Sequence, residues 1–172
     1  MPAWRRYALR DVVRQSIAIN CIRFQRHHIV LEGPFTRDDA PDIRAVFSRK
    51  LVLGALTNLV DNAIYWIDVR WPDNATARPS RRRKIWLGTG EDLGDAPAIV
   101  IADTGPGFQD DRDDLITPFF TRRPDGMGLG LYYANMAMDL CGGRLVIPQK
   151  GDVAVPDEFD GAVIALVFDR ES

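Results

Sequence analysis

The sequence predicts a two-layer α/β sandwich, in which helices cover one face of a mixed β-sheet. Helical and strand-like patterns follow one another as helix, strand, helix, then strands, a long loop, a helix and strands. The run Ala-Ile-Val-Ile-Ala at positions 98–102 is continuously apolar, which is typical of a central strand. With 172 residues, 46% of them hydrophobic, the chain suits one domain, 1–172, with a sizeable core.

Three helices are predicted. Apolar residues at three- and four-residue steps indicate a first helix over about 9–25, so the chain is expected to start almost directly in a helix. Ser48 is a typical N-cap residue and predicts a long helix over about 49–69. The third helix, over about 128–141, ends at a Gly-Gly pair. The predicted strands are 28–32, 43–47, 84–89, 98–103, 144–148 and 161–168.

Composition and charge exclude several classes of protein. The chain has 22 basic and 24 acidic residues, so its balance offers no case for binding nucleic acid or an anionic membrane. The basic run 81–84 is expected to be solvated. No apolar run approaches the roughly 20 residues of a membrane span, and the chain start does not resemble a signal peptide. Cys21 and Cys141 match no metal spacing and are expected to be buried thiols of a reducing compartment.

Two asparagines, Asn58 and Asn62, lie four residues apart in the long predicted helix and therefore share a face. Asparagine has a weak helix propensity, so two in register need an explanation. Amides on the helix surface are the simpler explanation. A neutral amide oxygen is also a suitable Mg²⁺ ligand when substrate phosphates and waters complete the coordination shell. Asp61, on a different face, is expected to make a local polar contact.

Asp103 follows the central apolar strand and precedes Gly105-Pro106-Gly107. A carboxylate at the end of a strand can accept a hydrogen bond from the exocyclic amine of adenine. The glycines would let a flat ring approach the backbone. An aspartate that only initiates a turn is the common alternative, and taken alone the motif favours it.

Glycines at positions 126, 128 and 130 open the last predicted helix. Unpaired amides and the positive end of the helix dipole favour phosphate at such a start. The motif is not a Walker loop, because no Gly-Lys-Ser/Thr follows it. Nor is it a dinucleotide fingerprint, because no strand directly precedes it. A glycine-rich hinge without a ligand remains the alternative.

Residues 104–127 lack any sustained periodicity. So long a loop in a compact domain is usually functional or disordered, and we interpret it as a lid over the site. The Phe119-Phe120 pair is expected to anchor the lid, and one of its two arginines to meet a terminal phosphate. The lid's four aspartates are expected to face solvent.

In this order, the four segments resemble the catalytic, ATP-binding domain of sensor histidine kinases. That domain is part of a wider superfamily with DNA gyrase, the heat-shock chaperone ATPases and the mismatch-repair ATPases. The resemblance extends over about residues 9–168. It implies a Bergerat-type ATP-binding fold, with a mostly antiparallel sheet and about three helices on one face. It also implies ATP and Mg²⁺ as ligands.

The resemblance assigns roles to individual residues. The asparagine box corresponds to Asn58 and Asn62, with Asn62 the expected Mg²⁺ ligand. The first glycine box corresponds to Asp103, Gly105 and Gly107, with Asp103 the expected adenine reader. The remaining expected ATP-binding residues are Trp66 beside the adenine, Phe120, Thr121, Gly126, Gly128, Leu129, Gly130 and Leu131.

The lid resembles that of short-lid kinases of the nitrogen-regulation type, which often carry Thr-Lys where this chain has Arg122-Arg123. Arg123 falls on the lysine position and by this resemblance takes the γ-phosphate contact. Tyr65 stands where many kinases have a further lysine. The charge of the phosphates would therefore be met more by Arg123, the helix start and the metal.

Position 58 distinguishes the branches of the superfamily. The hydrolytic branch resembles this pattern but carries a glutamate where Asn58 stands. An amide is a poor general base, so the pocket is expected to hold ATP for transfer of its γ-phosphoryl group rather than for rapid hydrolysis. Asn58, Asn62 and Arg123 are accordingly the expected catalytic residues. An ATP-gated conformational ATPase module of the gyrase, chaperone or mismatch-repair class is the alternative function.

The two histidines, His27 and His28, lie between the first predicted helix and the first predicted strand. The resemblance places the phosphoacceptor histidine on a separate dimerising helical hairpin, so neither is expected to be the acceptor. The chain is therefore expected to be a protein-histidine kinase catalytic domain without its acceptor domain, inactive alone in autophosphorylation. Its expected partners are ATP, that hairpin of the full-length kinase and, indirectly, a response regulator. A cytoplasmic location is expected for the fragment, without membrane contact, whether or not the parent is membrane-anchored.

Overall fold

The computed structural model describes residues 3–72, 81–90, 93, 95–124 and 126–169. Its helices are α1 Leu9–Ile19, α2 Cys21–Arg26, α3 Arg49–Arg70, α4 Arg112–Leu115 and α5 Gly130–Leu140. Its strands are β1 Trp4–Ala8, β2 Val30–Glu32, β3 Arg44–Ser48, β4 Lys84–Gly88, β5 Ala98–Asp103, β6 Arg144–Val146 and β7 Val163–Val167. The polar, proline-containing stretch 73–83 predicts a surface loop, and its positions 73–80 lie outside the described residues. Positions 91, 92 and 94 of the turn predicted over 90–97 lie outside them too.

The main sheet has five strands in the order β2-β4-β5-β7-β6. Strand β2 runs parallel to β4, and the other neighbours are antiparallel. The mixed, mostly antiparallel sheet that was predicted is therefore confirmed. All six residues of β5 are buried between β4 and β7, as its unbroken apolar run predicted.

The core fills the space between the sheet and helices α1, α3 and α5, which confirms the two-layer arrangement. Leu59 and Ile64 of α3 and Met138 of α5 meet Ile101 and Leu166 of the sheet there. The opposite face of the sheet is covered differently. There Trp86, Val100 and Val167 form a smaller cluster with Phe159, which lies in the segment before β7. These contacts pack that segment, residues 147–162, against the sheet.

Helix α3 carries the predicted asparagines and matches the predicted boundaries closely. The side chain of Ser48 accepts a hydrogen bond from the backbone N–H of Leu51 at 3.5 Å, which confirms the predicted N-cap. The helix ends at Arg70, and the next two residues are Trp71 and Pro72. Helix α5 is followed by Gly142 at φ +67°, a left-handed conformation suited to glycine after a helix.

The start of the chain differs from the prediction. Residues 4–8 form β1, which pairs antiparallel with β3 in a separate two-stranded sheet, so the helix does not begin at once. The first predicted helix is also divided, because Asn20 separates α1 from α2. The buried side-chain amide of Asn20 donates to the carbonyl of Ser16 at 2.8 Å, which supplies a local alternative to continued helix.

Two predictions about burial were wrong. Cys141 is buried, but Cys21 is exposed at the start of α2. Arg83, expected to be solvated, is 0% exposed. Its guanidinium donates to the carbonyl of His27 through Nε at 2.9 Å and Nη2 at 2.7 Å, and also to the carbonyl of Trp71 and the carboxylate of Asp68. Arg83 thus joins the ends of α2 and α3 to the start of β4.

Within the described residues, none of the helices combines the length and the apolar character that crossing a membrane requires.

Candidate functional site

A cavity of about 390 Å³ lies between α3, the start of α5 and the lid, residues 104–127. Its volume is within the range of small-molecule sites. The structure brings together around it all but one of the residues predicted to bind ATP: Asn58, Asn62, Trp66, Asp103, Gly107, Phe120, Thr121, Arg123, Gly126, Gly128, Leu129, Gly130 and Leu131. The exception is Gly105, whose backbone contacts Asp103 from outside the lining.

One wall of the cavity is a single face of α3. Asn58, Asn62 and Trp66 follow one another at four-residue intervals and all three line the cavity, as the helical period requires. The start of α5 packs against this face. A Cβ at Gly130 would stand 3.4 Å from Nδ2 of Asn62, so the asparagine amide and the first turn of α5 are immediate neighbours.

Asp103, at the end of β5, is 4% exposed. Its Oδ1 accepts from the backbone N–H of Gly105 at 2.8 Å and of Ala162 at 3.1 Å. The simpler explanation, a turn-forming aspartate, is therefore correct as far as Oδ1 is concerned. Burial raises the pKa of Asp103 to about 6, although these two hydrogen bonds lower it in part. The result is a buried, oriented carboxylate at the edge of a cavity.

The glycines before α5 shape the opposite end of the cavity. The helix starts at Gly130, two residues later than predicted, so Gly126 and Gly128 belong to the approach to the helix. Gly128 has φ +70°, and a Cβ there would stand 2.6 Å from the carbonyl oxygen of Phe120. Only glycine fits both constraints without strain. At the N-cap, Leu129 provides no side-chain acceptor for the amides of the first turn, which are the groups that favour anions at a helix start.

The two lid arginines have different partners. Arg122 makes a two-pronged ion pair with Asp110 inside the lid, with both N···O distances 2.6 Å. Its hydrogen bonds hold the pKa of Asp110 below the usual range. Asp110 therefore does not simply face solvent, as was expected of the lid aspartates. Arg123 instead reaches out of the lid and contacts α3.

Arg123 docks onto three residues of α3. Its Nη1 donates to Oδ2 of Asp61 at 2.8 Å and to Oδ1 of Asn62 at 3.3 Å, and its guanidinium lies 4.2 Å from the ring centroid of Tyr65. Oδ1 of Asp61 accepts from Nη2 of Arg23 at 2.6 Å. Burial raises the pKa of Asp61, but hydrogen bonds and charge from Arg123 and Arg23 outweigh it and hold this pKa below the usual range. Asp61 makes a polar contact, as expected, but with partners 38 and 62 positions away rather than locally, and it lines the cavity beside Asn62.

The phenylalanine pair of the lid does not act as one anchor. Phe120 lines the cavity, but Phe119 is 72% exposed and adopts φ +66°, which is unusual for a bulky residue. Its backbone N–H donates to the carbonyl of Gly128 at 3.0 Å, which explains why the main chain is held there. The expectation that both rings anchor the lid is therefore wrong for Phe119.

A sequence-family comparison agrees with this geometry. The family described as histidine kinase-, DNA gyrase B-, and HSP90-like ATPase matches residues 48–171. The chain belongs to this ATPase family. The match includes α3, the lid, α5 and the strands that hold Asp103, and thus every wall of the cavity.

The chain has a nitrogen regulation protein and a sensor protein among its curated relatives. It is 33% identical over 137 residues to the nitrogen regulation protein NtrY of Azorhizobium caulinodans, a match that covers 78% of this chain and 16% of NtrY. It is 31% identical over 139 residues to the sensor protein FixL of Bradyrhizobium diazoefficiens, which covers 80% of this chain and 25% of FixL. The chain thus spans a quarter or less of these relatives.

A solved structure supports the fold. The nucleotide-free catalytic domain of histidine kinase ThkA superposes with a TM-score of 0.68 at 20% sequence identity, covering 96% of this chain and 97% of that domain. The domain therefore has the sheet and helix arrangement of a histidine kinase catalytic domain, as predicted.

Some residues of the cavity were not predicted. Leu59, Ala63, Ile101 and Ile164 supply apolar lining, which is indistinguishable from core in a sequence. Ala162 lines the cavity and orients Asp103, although it lies 59 positions further along the chain. An Asp-Gly turn before a strand was the only signal there, and such turns are common.

Proposed function

We propose that the cavity binds Mg²⁺-ATP and that the domain donates the γ-phosphoryl group to a histidine on a separate dimerisation hairpin of a two-component sensor kinase. The observation that carries the proposal is one cavity lined by two chemically different groups. Asp103 lies next to Trp66 through Gly105, whereas Arg123 and the start of α5 lie next to Asn62, one turn earlier on α3. The first suits a hydrogen-bond donor on a base, and the second suits phosphates and a cation.

The base end would read adenine through Asp103. Among the described residues, both hydrogen bonds to this carboxylate go to Oδ1, so Oδ2 is available to a ligand. The exocyclic amine of adenine is a suitable donor. The side chain of Trp66 and the backbone at Gly107 border the same space, and both can face a flat ring.

The phosphate end would use backbone amides, Arg123 and a metal ion. The first turn of α5 has no side-chain cap among the described residues, and it presents the positive end of the helix dipole. The described residues contain no group of three His, Cys, Asp or Glu side chains that could hold a metal ion. The amide oxygen of Asn62, which accepts from Arg123 at 3.3 Å, could supply one ligand once Arg123 turns to a phosphate. Phosphates and waters would supply the others, which is a typical arrangement for Mg²⁺. When bound, the ion would neutralise phosphate charge.

Asn58 supports transfer rather than hydrolysis. It lines the cavity beside Asn62, and an amide cannot take a proton from an attacking water at neutral pH. We therefore expect slow ATP turnover by the isolated chain and phosphorylation only when an acceptor hairpin from the parent protein is added. Rapid turnover without an acceptor would instead support the conformational ATPase class. A response regulator would be reached only through the phosphorylated hairpin.

The direct test of nucleotide binding is titration calorimetry with a non-hydrolysable ATP analogue and Mg²⁺. A folded chain that gives no binding heat, and shows no nucleotide-induced rise in melting temperature, would rule out the proposal. The variants below localise the site.

Replacing Asn62 by alanine is expected to remove most of the gain in ATP affinity that Mg²⁺ provides. We expect this gain to fall about tenfold, because the ion loses its only proposed side-chain ligand. The measurement is the Kd of ATP with Mg²⁺ and with EDTA. The affinity in EDTA is the internal control and should change by less than about twofold. A Mg²⁺-dependent gain equal to that of the parent would show that Asn62 does not bind the ion.

Adenine recognition is expected to weaken in acid. The pKa of Asp103 is raised to about 6, and the adenine amine favours the ionised form. Affinity for ADP relative to inosine diphosphate should therefore be constant above about pH 7 and fall as the pH declines through about 6, towards roughly tenfold per unit. The ratio cancels the titration of the phosphates, since both ligands share them. A preference for ADP that stays flat between pH 5 and pH 8 would contradict the assigned role of Asp103.

A further inference from the structure

Arg70, the last residue of α3, joins three separate segments of the chain. Its Nη1 donates to the carbonyl of Gly105 at 2.8 Å, to the carbonyl of Thr104 at 3.3 Å and to Oδ1 of Asp160 at 2.8 Å. Nη2 lies 3.4 Å from Oδ2 of Asp160. The hydrogen bond from Arg70 holds the pKa of Asp160 below its usual range. One guanidinium therefore links the helix end to the segment after β5 and to the segment before β7.

These two segments are the ones that orient Asp103. The first supplies the N–H of Gly105, and the second the N–H of Ala162, and both donate to Oδ1 of Asp103. The N–H of Gly161 also donates to the main-chain carbonyl of Asp103 at 3.0 Å. The direction of the carboxylate thus depends on how the two segments are held against each other, and Arg70 spans them.

The two segments lie so close together that no side chain fits at Gly161. A Cβ on Gly161 would contact Oδ1 of Asp103 and would stand 2.7 Å from the N–H nitrogen of Gly105. Trp71 strengthens the same junction, because its Nε1 donates to the carbonyl of Thr104 at 2.8 Å. The helix end therefore holds the segment after β5 with two adjacent side chains, whereas Asp160 is held by Arg70.

We propose that Arg70, together with Asp160, is a positioning residue that gives the cavity its selectivity for purines carrying a 6-amino group. This inference rests on the proposed function, because it assumes that Asp103 faces the base. Arg70 acts through the backbone of Gly105 and through Asp160, and it fixes the carboxylate direction to which a 6-amino donor must align. A 6-oxo purine presents an acceptor to the same carboxylate and is repelled. A carboxylate free to reorient discriminates less, since it no longer keeps an oxygen aligned with the 6-amino donor.

The experiment compares ATP with inosine triphosphate, which carries an oxygen in place of the 6-amino group. Dissociation constants for both are measured with the parent chain, Arg70→Met and Arg70→Lys. We expect Arg70→Met to reduce the preference for ATP about tenfold, mainly by weakening ATP, with inosine triphosphate changed by less than about twofold. Arg70→Lys should retain most of the preference, because an ammonium group can donate to both Gly105 and Asp160.

The matched control is Arg144→Met. Arg144 makes an exposed contact with Asp169 at 3.8 Å on the edge strand β6, and neither residue lines the cavity. Its removal should leave the ratio of the two affinities at the parental value. A purely structural role for Arg70 would weaken both nucleotides equally and lower the melting temperature without changing this ratio.

The outcomes separate the inference from the proposed function. A parental ratio in Arg70→Met overturns the inference alone, and equal weakening of both nucleotides does the same. A parent chain that binds neither nucleotide overturns the proposed function and the inference with it. If Arg70→Met does not fold, Asp160→Asn gives the decision. It removes the charged partner but keeps the carbonyl contacts of Arg70, and we expect the preference to fall about threefold. An unchanged preference in that variant contradicts the inference.

Discussion

Replacing Asp103 by asparagine is expected to weaken ATP binding about 100-fold, or by about 2.7 kcal/mol, without destabilising the fold. The amide oxygen of the new side chain would take the place of Oδ1, because the N–H groups of Gly105 and Ala162 point at it. The amide NH₂ must then face the base. Two donors, the NH₂ and the adenine amine, would oppose each other in a buried site. Titration calorimetry measures the loss.

Stability is the internal check on Asp103→Asn. Because burial raises the pKa of Asp103 from 3.8 to about 6, the folded state binds this proton more tightly than the unfolded state. The contribution of Asp103 to stability is thus fully present below pH 3.8 and is lost as the pH rises through about 6. A neutral amide removes this penalty, so the melting temperature at pH 7 should stay equal or rise. Asp139→Asn, on the exposed side of α5, is the matched control for binding. ATP affinity in Asp103→Asn within threefold of the parent would refute the assignment.

Replacing Arg83 by methionine is expected to lower the free energy of unfolding by about 3 kcal/mol. The guanidinium is fully buried and donates to two backbone carbonyls, of His27 and Trp71, and to the carboxylate of Asp68. Methionine fills a similar volume but leaves these acceptors without their donor. Asp68 keeps one partner, since its Oδ2 lies 2.8 Å from Nδ1 of His27. The measurement is urea unfolding followed by circular dichroism.

The control for Arg83→Met is again Arg144→Met, because an exposed arginine on an edge strand should change stability by less than about 0.5 kcal/mol. Arg83→Lys should also be destabilised, since an ammonium group cannot reproduce the planar set of donors. If Arg83→Met unfolded at the same urea concentration as the control, the cluster would contribute little and the ends of α2 and α3 would be held by packing.

The elements that the sequence predicted well are those with local signals. Ser48 marks the start of α3 because capping depends on neighbouring residues, and the apolar run of β5 reports burial on both faces. Strand β1 was missed because it exists only through pairing with β3, some 40 positions away. The break at Asn20 depends on a side chain that can cap or continue a helix, and the period alone does not distinguish the two.

The cavity was largely predictable because its motifs on α3, β5 and α5 are short local segments whose order resembles that of a known family. The residues that orient Asp103 were not predictable. Arg70 and Gly161 act on Asp103 across the fold, and neither belongs to a motif. Arg83 belongs to a basic run, which by composition indicates solvent exposure, yet its partners at His27 and Asp68 are distant in sequence. Burial of a charge is set by such distant acceptors rather than by its neighbours in the chain.

The two ends of the cavity differ in what must open to release a ligand. Asp103 ends a strand whose six residues are buried and which pairs with β4 at residues 100–103 and with β7 at residues 98–102. We therefore expect that end to open only when the sheet unfolds. The lid contacts α3 through interactions such as the ion pair between Arg123 and Asp61. Each such contact contributes only a small fraction of the free energy of unfolding. Local opening of the lid would therefore release a nucleotide while the strand that carries Asp103 stays folded. The domain can therefore exchange its nucleotide repeatedly without unfolding.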